Sequence, residues 1–158
     1  MWQKIKVYSI SIAIPLAVGG LSALITSGSM DIYEEINRPF LAPPSWLFPV
    51  VWTILYILMG ISSGMIYEVK DADPDERRKA FWLYGINLAV NFAWSIIFFN
   101  LQAFFGAFIW LLLLIFIIVK MMTSFLKIKP LAAYLQIPYV VWCCFATYLT
   151  ASIWLMNG

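Results

Sequence analysis

The sequence predicts an all-α integral membrane protein, a five-transmembrane-helix bundle formed by a single domain over residues 1–158, and three observations carry that prediction. Hydrophobic residues make up 63% of the chain and charged residues only 11%, against about a quarter charged in an ordinary soluble domain. So few polar side chains leave most of the surface to lipid rather than water. Five apolar stretches, at about residues 7–25, 46–67, 81–99, 103–119 and 131–156, contain no acid or base in their cores. Each is close to the roughly 20 residues a spanning helix needs. With five spans, Lys4, Lys6, Lys70, Arg77, Arg78, Lys79, Lys127 and Lys129 fall on one side, joined by Lys120 if it snorkels, and only Arg38 falls on the other. Four or six spans would scatter these charges, so the asymmetry supports the count and sets the N-terminus cytoplasmic and the C-terminus outside.

Each element follows from local pattern. The first span is preceded by Lys4 and Lys6 but is longer than a signal-peptide core and is followed by further spans, so it is expected to be retained. The 27–44 segment is too long to be a plain connection and reads as an outer loop lying over the bundle as a lid. The second span carries Trp52 and Tyr56 four residues apart, hence on one helix face. It also carries Gly60-Ile-Ser-Ser-Gly64, a small-xxx-small pattern that permits close helix approach within the bundle or across a dimer. The charged 68–79 hairpin, with its Asp73-Pro74 turn signal, reads as a solvated connector. On the third span Asn87, Asn91, Trp94, Ser95 and Phe98 recur at helical spacing. Lipid cannot satisfy a carboxamide, so that stripe faces inward, either as interhelical hydrogen-bond glue or as the wall of a polar pocket. The turn at 100–102 and the 127–130 connection are short and force antiparallel neighbours. The fifth span places Tyr139, Trp142, Phe145 and Ala146 together, large aromatics beside a small residue that shape a slot for a flat ligand. Trp2 and Trp154 lie near span ends and suit the interfacial aromatic belt. Pro15, Pro49 and Pro138 are each expected to free a carbonyl four residues earlier, at Ser11, Ser45 and Tyr134.

Several classes are excluded. The net charge is only +2 with bases in short flanks, which leaves no nucleic-acid footprint. The chain has no histidine and two adjacent cysteines, Cys143 and Cys144, so there is no metal-ligand spacing, no disulfide framework and no imidazole base or haem ligand. No metal site and no required cofactor are expected.

Four segments in order resemble the TspO/MBR family, the tryptophan-rich sensory proteins related to the translocator protein or peripheral benzodiazepine receptor. They are Arg38-Pro39 through Pro43-Pro44-Ser45-Trp46; Pro49-Val50-Val51-Trp52-Thr53-Ile54-Leu55-Tyr56 with Met59-Gly60; Asn91-Phe92-Ala93-Trp94 through Phe98-Phe99; and Pro138-Tyr139 with Trp142 and Phe145-Ala146-Thr147-Tyr148-Leu149. The resemblance implies a five-helix bundle, often a homodimer, that binds a porphyrin such as protoporphyrin IX or haem under the first loop. The ligand-binding residues it implies are Tyr33, Trp52, Tyr56, Asn87, Trp94, Trp142 and Ala146. Some bacterial members promote light-dependent porphyrin breakdown, which would make Trp52 and Trp142 the photo-oxidative catalytic residues. Where members have Trp after Lys-Pro-Ser this chain reads Arg38-Pro39-Phe40-Leu41, the loop's Trp-Tyr pair is Ile32-Tyr33, and the usual Asn of the fifth helix is Thr150. No base follows Tyr148, so the family's proposed cholesterol motif lacks its basic end and cholesterol binding is not expected.

Three functional classes follow. A tetrapyrrole-binding membrane receptor or sensor leads, with membrane lipid and the tetrapyrrole as its partners. A photo-oxidative degrader needs no acid–base group, and no intramembrane carboxylate supports ordinary catalysis. A passive transporter or carrier of porphyrins or other small amphiphiles is the alternative; ion-coupled transport is disfavoured because the spans hold no ionisable residue apart from Lys120 near an end. The bacterial plasma membrane is the expected location.

Overall fold

The computed structural model describes Met1 to Gly158 and is built from helices and turns. The elements are α1 (Trp2–Thr26), a 3₁₀ turn (Ser27–Ser29), α2 (Ile32–Glu35), α3 (Leu47–Glu68), α4 (Pro74–Ser95) running into a π-helical turn (Ile96–Asn100), α5 (Phe104–Ile128), α6 (Pro130–Tyr134) and α7 (Ile137–Asn157). Five spans long and apolar enough to cross a bilayer result, the fifth formed by α6 and α7 together. The chain is an all-α integral membrane protein.

The helices outrun the apolar stretches that announce them, because hydropathy marks the lipid-embedded part of a helix and not its ends. α4 starts at Pro74, well before residue 81. Asp73 caps it, its Oδ1 accepting from the Asp75 N–H at 3.0 Å, Pro74 occupies the first turn, and Asp75 and Glu76 favour the positive end of the helix dipole. Half of the expected connector is therefore helix, and Arg77 within it donates to the carbonyls of Tyr67 and Val69 that end α3. α5 runs on past residue 119 to Ile128, with the Lys120 ammonium over the Phe116 ring at 5.7 Å.

Only one of the three prolines interrupts a helix interior. Pro15 lies inside α1; Pro49 sits in the first turn of α3, where the Ser45 carbonyl still accepts from Phe48 N–H at 3.4 Å. Pro138 begins α7 after a break at Leu135–Gln136. Pro49 and Pro138, expected to free carbonyls within helices, thus stand at helix starts, the position that best tolerates a missing N–H.

Packing assigns the Gly60–Gly64 pattern to the inside of the bundle. A Cβ at Gly60 would lie 2.8 Å from the Ser11 carbonyl oxygen, the acceptor that Pro15 leaves without its helical donor, and a Cβ at Gly64 would lie 2.8 Å from the Tyr8 ring. The two glycines let α3 close on α1. On α5, Leu111, Leu114, Ile118, Met121 and Phe125 are buried at alternating three- and four-residue steps, the narrow apolar seam of a packed helix. That seam meets α4 and α7. Gln102 takes a left-handed conformation (φ 51°), which reverses the chain between α4 and α5 within three residues. At one end of the bundle stand the basic flanks of α1, α3, α4 and α5; at the other the Asn157 side chain clasps the lid, accepting from Asn37 N–H at 3.0 Å and donating to Asn37 O at 2.8 Å.

Candidate functional site

The backbones of α3, α4 and α7 pack mainly on other partners rather than on one another. The space left between them at the lid end is a cavity of about 290 Å³. Three tryptophans from three helices line it: Trp52 (α3), Trp94 (α4) and Trp142 (α7). Trp52 stacks on Tyr56 with ring centroids 5.6 Å apart, Trp94 stacks on Phe98 at 5.2 Å, and Phe48 bridges Trp142 at 5.9 Å to Tyr33 at 5.0 Å. Ala146, one turn along α7 from Trp142, also lines the space and leaves it open where a larger side chain would fill it.

The lid supplies Tyr33 and Met30. Tyr33 is 3% exposed, and its hydroxyl donates to the Pro43 carbonyl at 2.6 Å. Arg38 lies over its ring at 4.8 Å and approaches Glu34 at 3.6 Å. Burial raises the Tyr33 hydroxyl above the usual tyrosine range, with Arg38 acting in the opposite sense. The hydroxyl therefore stays protonated and keeps its bond, which holds the 27–44 segment folded over the cavity.

The floor is a ladder of side-chain hydrogen bonds. Tyr56 OH donates to Asn91 Oδ1 (3.4 Å), Asn91 Nδ2 donates to Tyr139 OH (2.8 Å), and Tyr139 OH donates to Asn87 Oδ1 (2.6 Å). α3, α4 and α7 are joined by these bonds, so the two carboxamides act as interhelical glue. Of the seven residues expected to line a ligand site, Tyr33, Trp52, Tyr56, Trp94, Trp142 and Ala146 share the cavity and Asn87 does not. Asn87 is fully buried beneath the floor, because Tyr139 fills the space between it and the open part of the site.

Two polar atoms of the walls are unspent. The indole N–H groups of Trp94 and Trp142 are buried and have no acceptor. Buried donors are rarely left so, and both belong to the cavity lining.

A comparison with known families matches residues 11–155 to the TspO/MBR family. The chain belongs to the TspO/MBR family. Relatives include Tryptophan-rich protein TspO of Chlorobaculum tepidum, 32% identical with 99% of each chain covered. Tryptophan-rich protein TspO of Archaeoglobus fulgidus is 35% identical over 94% of this chain and 95% of its own. Translocator protein of Sus scrofa is 30% identical over 91% of this chain and 86% of its own. Within this TspO/MBR chain, the residues that motif reasoning missed are of two kinds. Gly19, Gly20 and Ala23 of α1 form the fourth wall, and a Cβ at Gly19 would collide with the Tyr56 ring. Small residues one turn apart in an apolar span were the available signal. Phe48 and Phe99 complete the aromatic lining, and Thr150, where the chain departs from the family's usual Asn, also lines it.

Proposed function

We propose that the cavity is the binding site of a flat tetrapyrrole and that the protein acts as a membrane receptor or sensor for it. The observation that carries this reading is a slot walled by three tryptophans from three helices, two of which hold an unpartnered buried indole N–H. Stacking and apolar burial supply affinity for a planar macrocycle, and the two N–H groups suit acceptors such as its carboxylates. The cavity volume of about 290 Å³ lies at the bottom of the range for small-molecule sites. A porphyrin therefore requires the lid to lift or part of the ring to protrude. The relatives' printed names, translocator and tryptophan-rich protein, are compatible with a binding protein or a carrier. In this reading the membrane is a bacterial plasma membrane and the basic end is cytoplasmic, an orientation that the charge asymmetry supports. If it is a homodimer, its interface uses a face other than Gly60–Gly64, which α1 occupies.

The test is titration of detergent-purified protein with protoporphyrin IX in darkness, read by tryptophan quenching, for wild type and Trp142→Phe. Saturable quenching at micromolar concentration, weakened in the variant, supports the receptor; no quenching with intact protein overturns it. A second reading, photo-oxidative breakdown with dioxygen as the terminal oxidant, is favoured by the placement of Trp52 against both Tyr56 (5.6 Å) and Tyr139 (6.2 Å), side chains able to return an electron to an indole that has given one to the light-excited porphyrin. Under illumination, Trp52→Phe and Trp142→Phe must then slow porphyrin bleaching; bleaching at the wild-type rate removes the reading. Porphyrin flux into sealed liposomes distinguishes a passive carrier from either.

A further inference from the structure

A second concavity lies at the other end of α4, sharing no residue with the aromatic cavity: an open groove of about 760 Å³ along that helix's outer face. Its rim holds Lys70, Arg77 and Arg78, and no acidic side chain lines it. Of the adjoining hairpin's acids, Asp73 caps α4 and Glu76 faces Lys127 at 3.8 Å, while Asp71 is exposed and lies outside the groove lining. Lys70 makes no ion pair, and Arg78 reaches Asp75 only at 3.9 Å with both side chains largely in solvent, a contact of little strength. Arg77 is fixed by the carbonyls that end α3, but its Nε is buried without an acceptor.

Below the cations the groove is apolar, with Phe81 on one side, Trp82 and Ile86 on the other, and Gly85 and Ala89 as floor. Nothing lies within 4 Å of where a Gly85 Cβ would stand, so the floor is open and no part of this chain fills it. From Arg78 to Ala89 the helix rises about 16 Å, close to the half-thickness of a roughly 30 Å hydrocarbon layer. Cations at the level of a phosphate, a tryptophan beneath them and a smooth apolar trough one leaflet deep match one chemistry.

We propose that this groove is a binding site for an anionic glycerophospholipid of the leaflet at the basic end, its phosphate held by Lys70 and Arg78 beside Arg77 and an acyl chain lying over Gly85 and Ala89. Charge decides against a second copy of the chain: a twofold interface on this face brings the same three cations toward themselves, whereas an anionic headgroup neutralises them.

The test uses full-length protein purified in neutral detergent and stripped of lipid. It is titrated with phosphatidylglycerol or with phosphatidylcholine of the same acyl chains, and bound lipid is counted by native mass spectrometry. Wild type should retain phosphatidylglycerol preferentially. Lys70→Gln/Arg78→Gln should weaken phosphatidylglycerol by about thirtyfold, at roughly fivefold per basic residue near an anionic headgroup, and leave phosphatidylcholine unchanged. Gly85→Phe, whose ring enters open space, should displace both lipids while helix content and dark porphyrin quenching stay at wild-type values. Equal retention of the two lipids, or a preference that survives the double substitution, overturns the proposal. So does release of phosphatidylglycerol by millimolar inorganic phosphate alone, which marks a soluble-anion site. A Gly85→Phe protein that changes from dimer to monomer with lipid binding intact would assign the groove to a second copy instead.

Discussion

Tyr139→Phe tests the hydrogen-bonded floor most directly, because one oxygen atom serves two helices. The Tyr139 ring is 1% exposed; its hydroxyl receives the Asn91 amide at 2.8 Å and donates to Asn87 at 2.6 Å. Asn87 has no other side-chain bond, since its Nδ2 is already without a partner, so the substitution leaves a fully buried carboxamide with none. Hydrogen bonds between membrane helices average about 0.6 kcal/mol each, which gives roughly 1 kcal/mol for the pair. A stranded buried polar group adds about 1–3 kcal/mol. The expected loss is therefore roughly 2–4 kcal/mol, read as a shift in the unfolding midpoint when SDS is titrated into mixed micelles and helicity is followed by circular dichroism. Adding Asn87→Leu removes the stranded amide as well, so Asn87→Leu/Tyr139→Phe should recover part of the loss instead of adding to it. Neither protein should change the porphyrin midpoint by more than about twofold, because Asn87 and Tyr139 lie under the cavity and not in its wall. A Tyr139→Phe loss below about 0.5 kcal/mol would refute the ladder. So, separately, would an Asn87→Leu protein of wild-type stability that binds porphyrin tenfold more weakly, since Asn87 would then be a ligand contact.

Other perturbations separate packing from binding. Gly60→Leu forces atoms into the α1 backbone at Ile12 and Ser11 and should cost about 1–3 kcal/mol or more in the same SDS titration, whereas Gly85→Ala, which meets nothing, should stay within about 0.5 kcal/mol of wild type. Ala146→Phe fills the cavity beside Trp142 and should abolish saturable porphyrin quenching without lowering the unfolding midpoint. Tyr33→Phe removes the bond to Pro43, worth about 1 kcal/mol, so stopped-flow porphyrin dissociation should accelerate roughly fivefold; an unchanged rate would mean that this bond does not hold the lid. Amide hydrogen exchange in the second half of α1 should be faster than at matched depth in α3 and should slow when porphyrin binds; equal rates before binding would contradict the loose packing of α1.

The span count was legible because lipid imposes a length and a composition that no soluble helix needs, and because ten basic residues sort onto two faces in only one way. Helix ends were less legible. The start of α4 is decided by an Asp73 side chain that accepts one backbone N–H and by Pro74 behind it, signals that a hydropathy window does not weigh. The break before α7 was visible as Pro138 but was assigned to a helix interior; the first turn satisfies proline at lower cost, and the chain takes that solution. At the site, the aromatic residues were legible because large rings at helical spacing in an apolar span have few other uses. Asn87 and Asn91 sit one turn apart on the same stripe, and nothing in their spacing says which faces a cavity. That is settled by Tyr139, a residue from another helix whose hydroxyl lies between them.

The wall contributed by α1 was the least legible part, and the reason bears on how the site works. Gly19, Gly20 and Ala23 offer no chemical group to a motif; their contribution is the volume they leave empty. They also lie on the span with the least burial, 17% of its apolar window against 44% for the α3 span. α3, α4 and α7 are tied by the Tyr56–Asn91–Tyr139–Asn87 ladder below the cavity, and α4 and α7 pack along α5. α1 packs chiefly on α3, through Gly60 and Gly64 toward the basic end and through Gly19 against the Tyr56 ring beside the cavity. Under the proposed function, a ligand larger than this space would enter where fewest helix contacts must be broken, at the lid, while the tryptophans keep their mutual geometry. In that reading the aromatic walls are the fixed part of the site and the lid the part that moves.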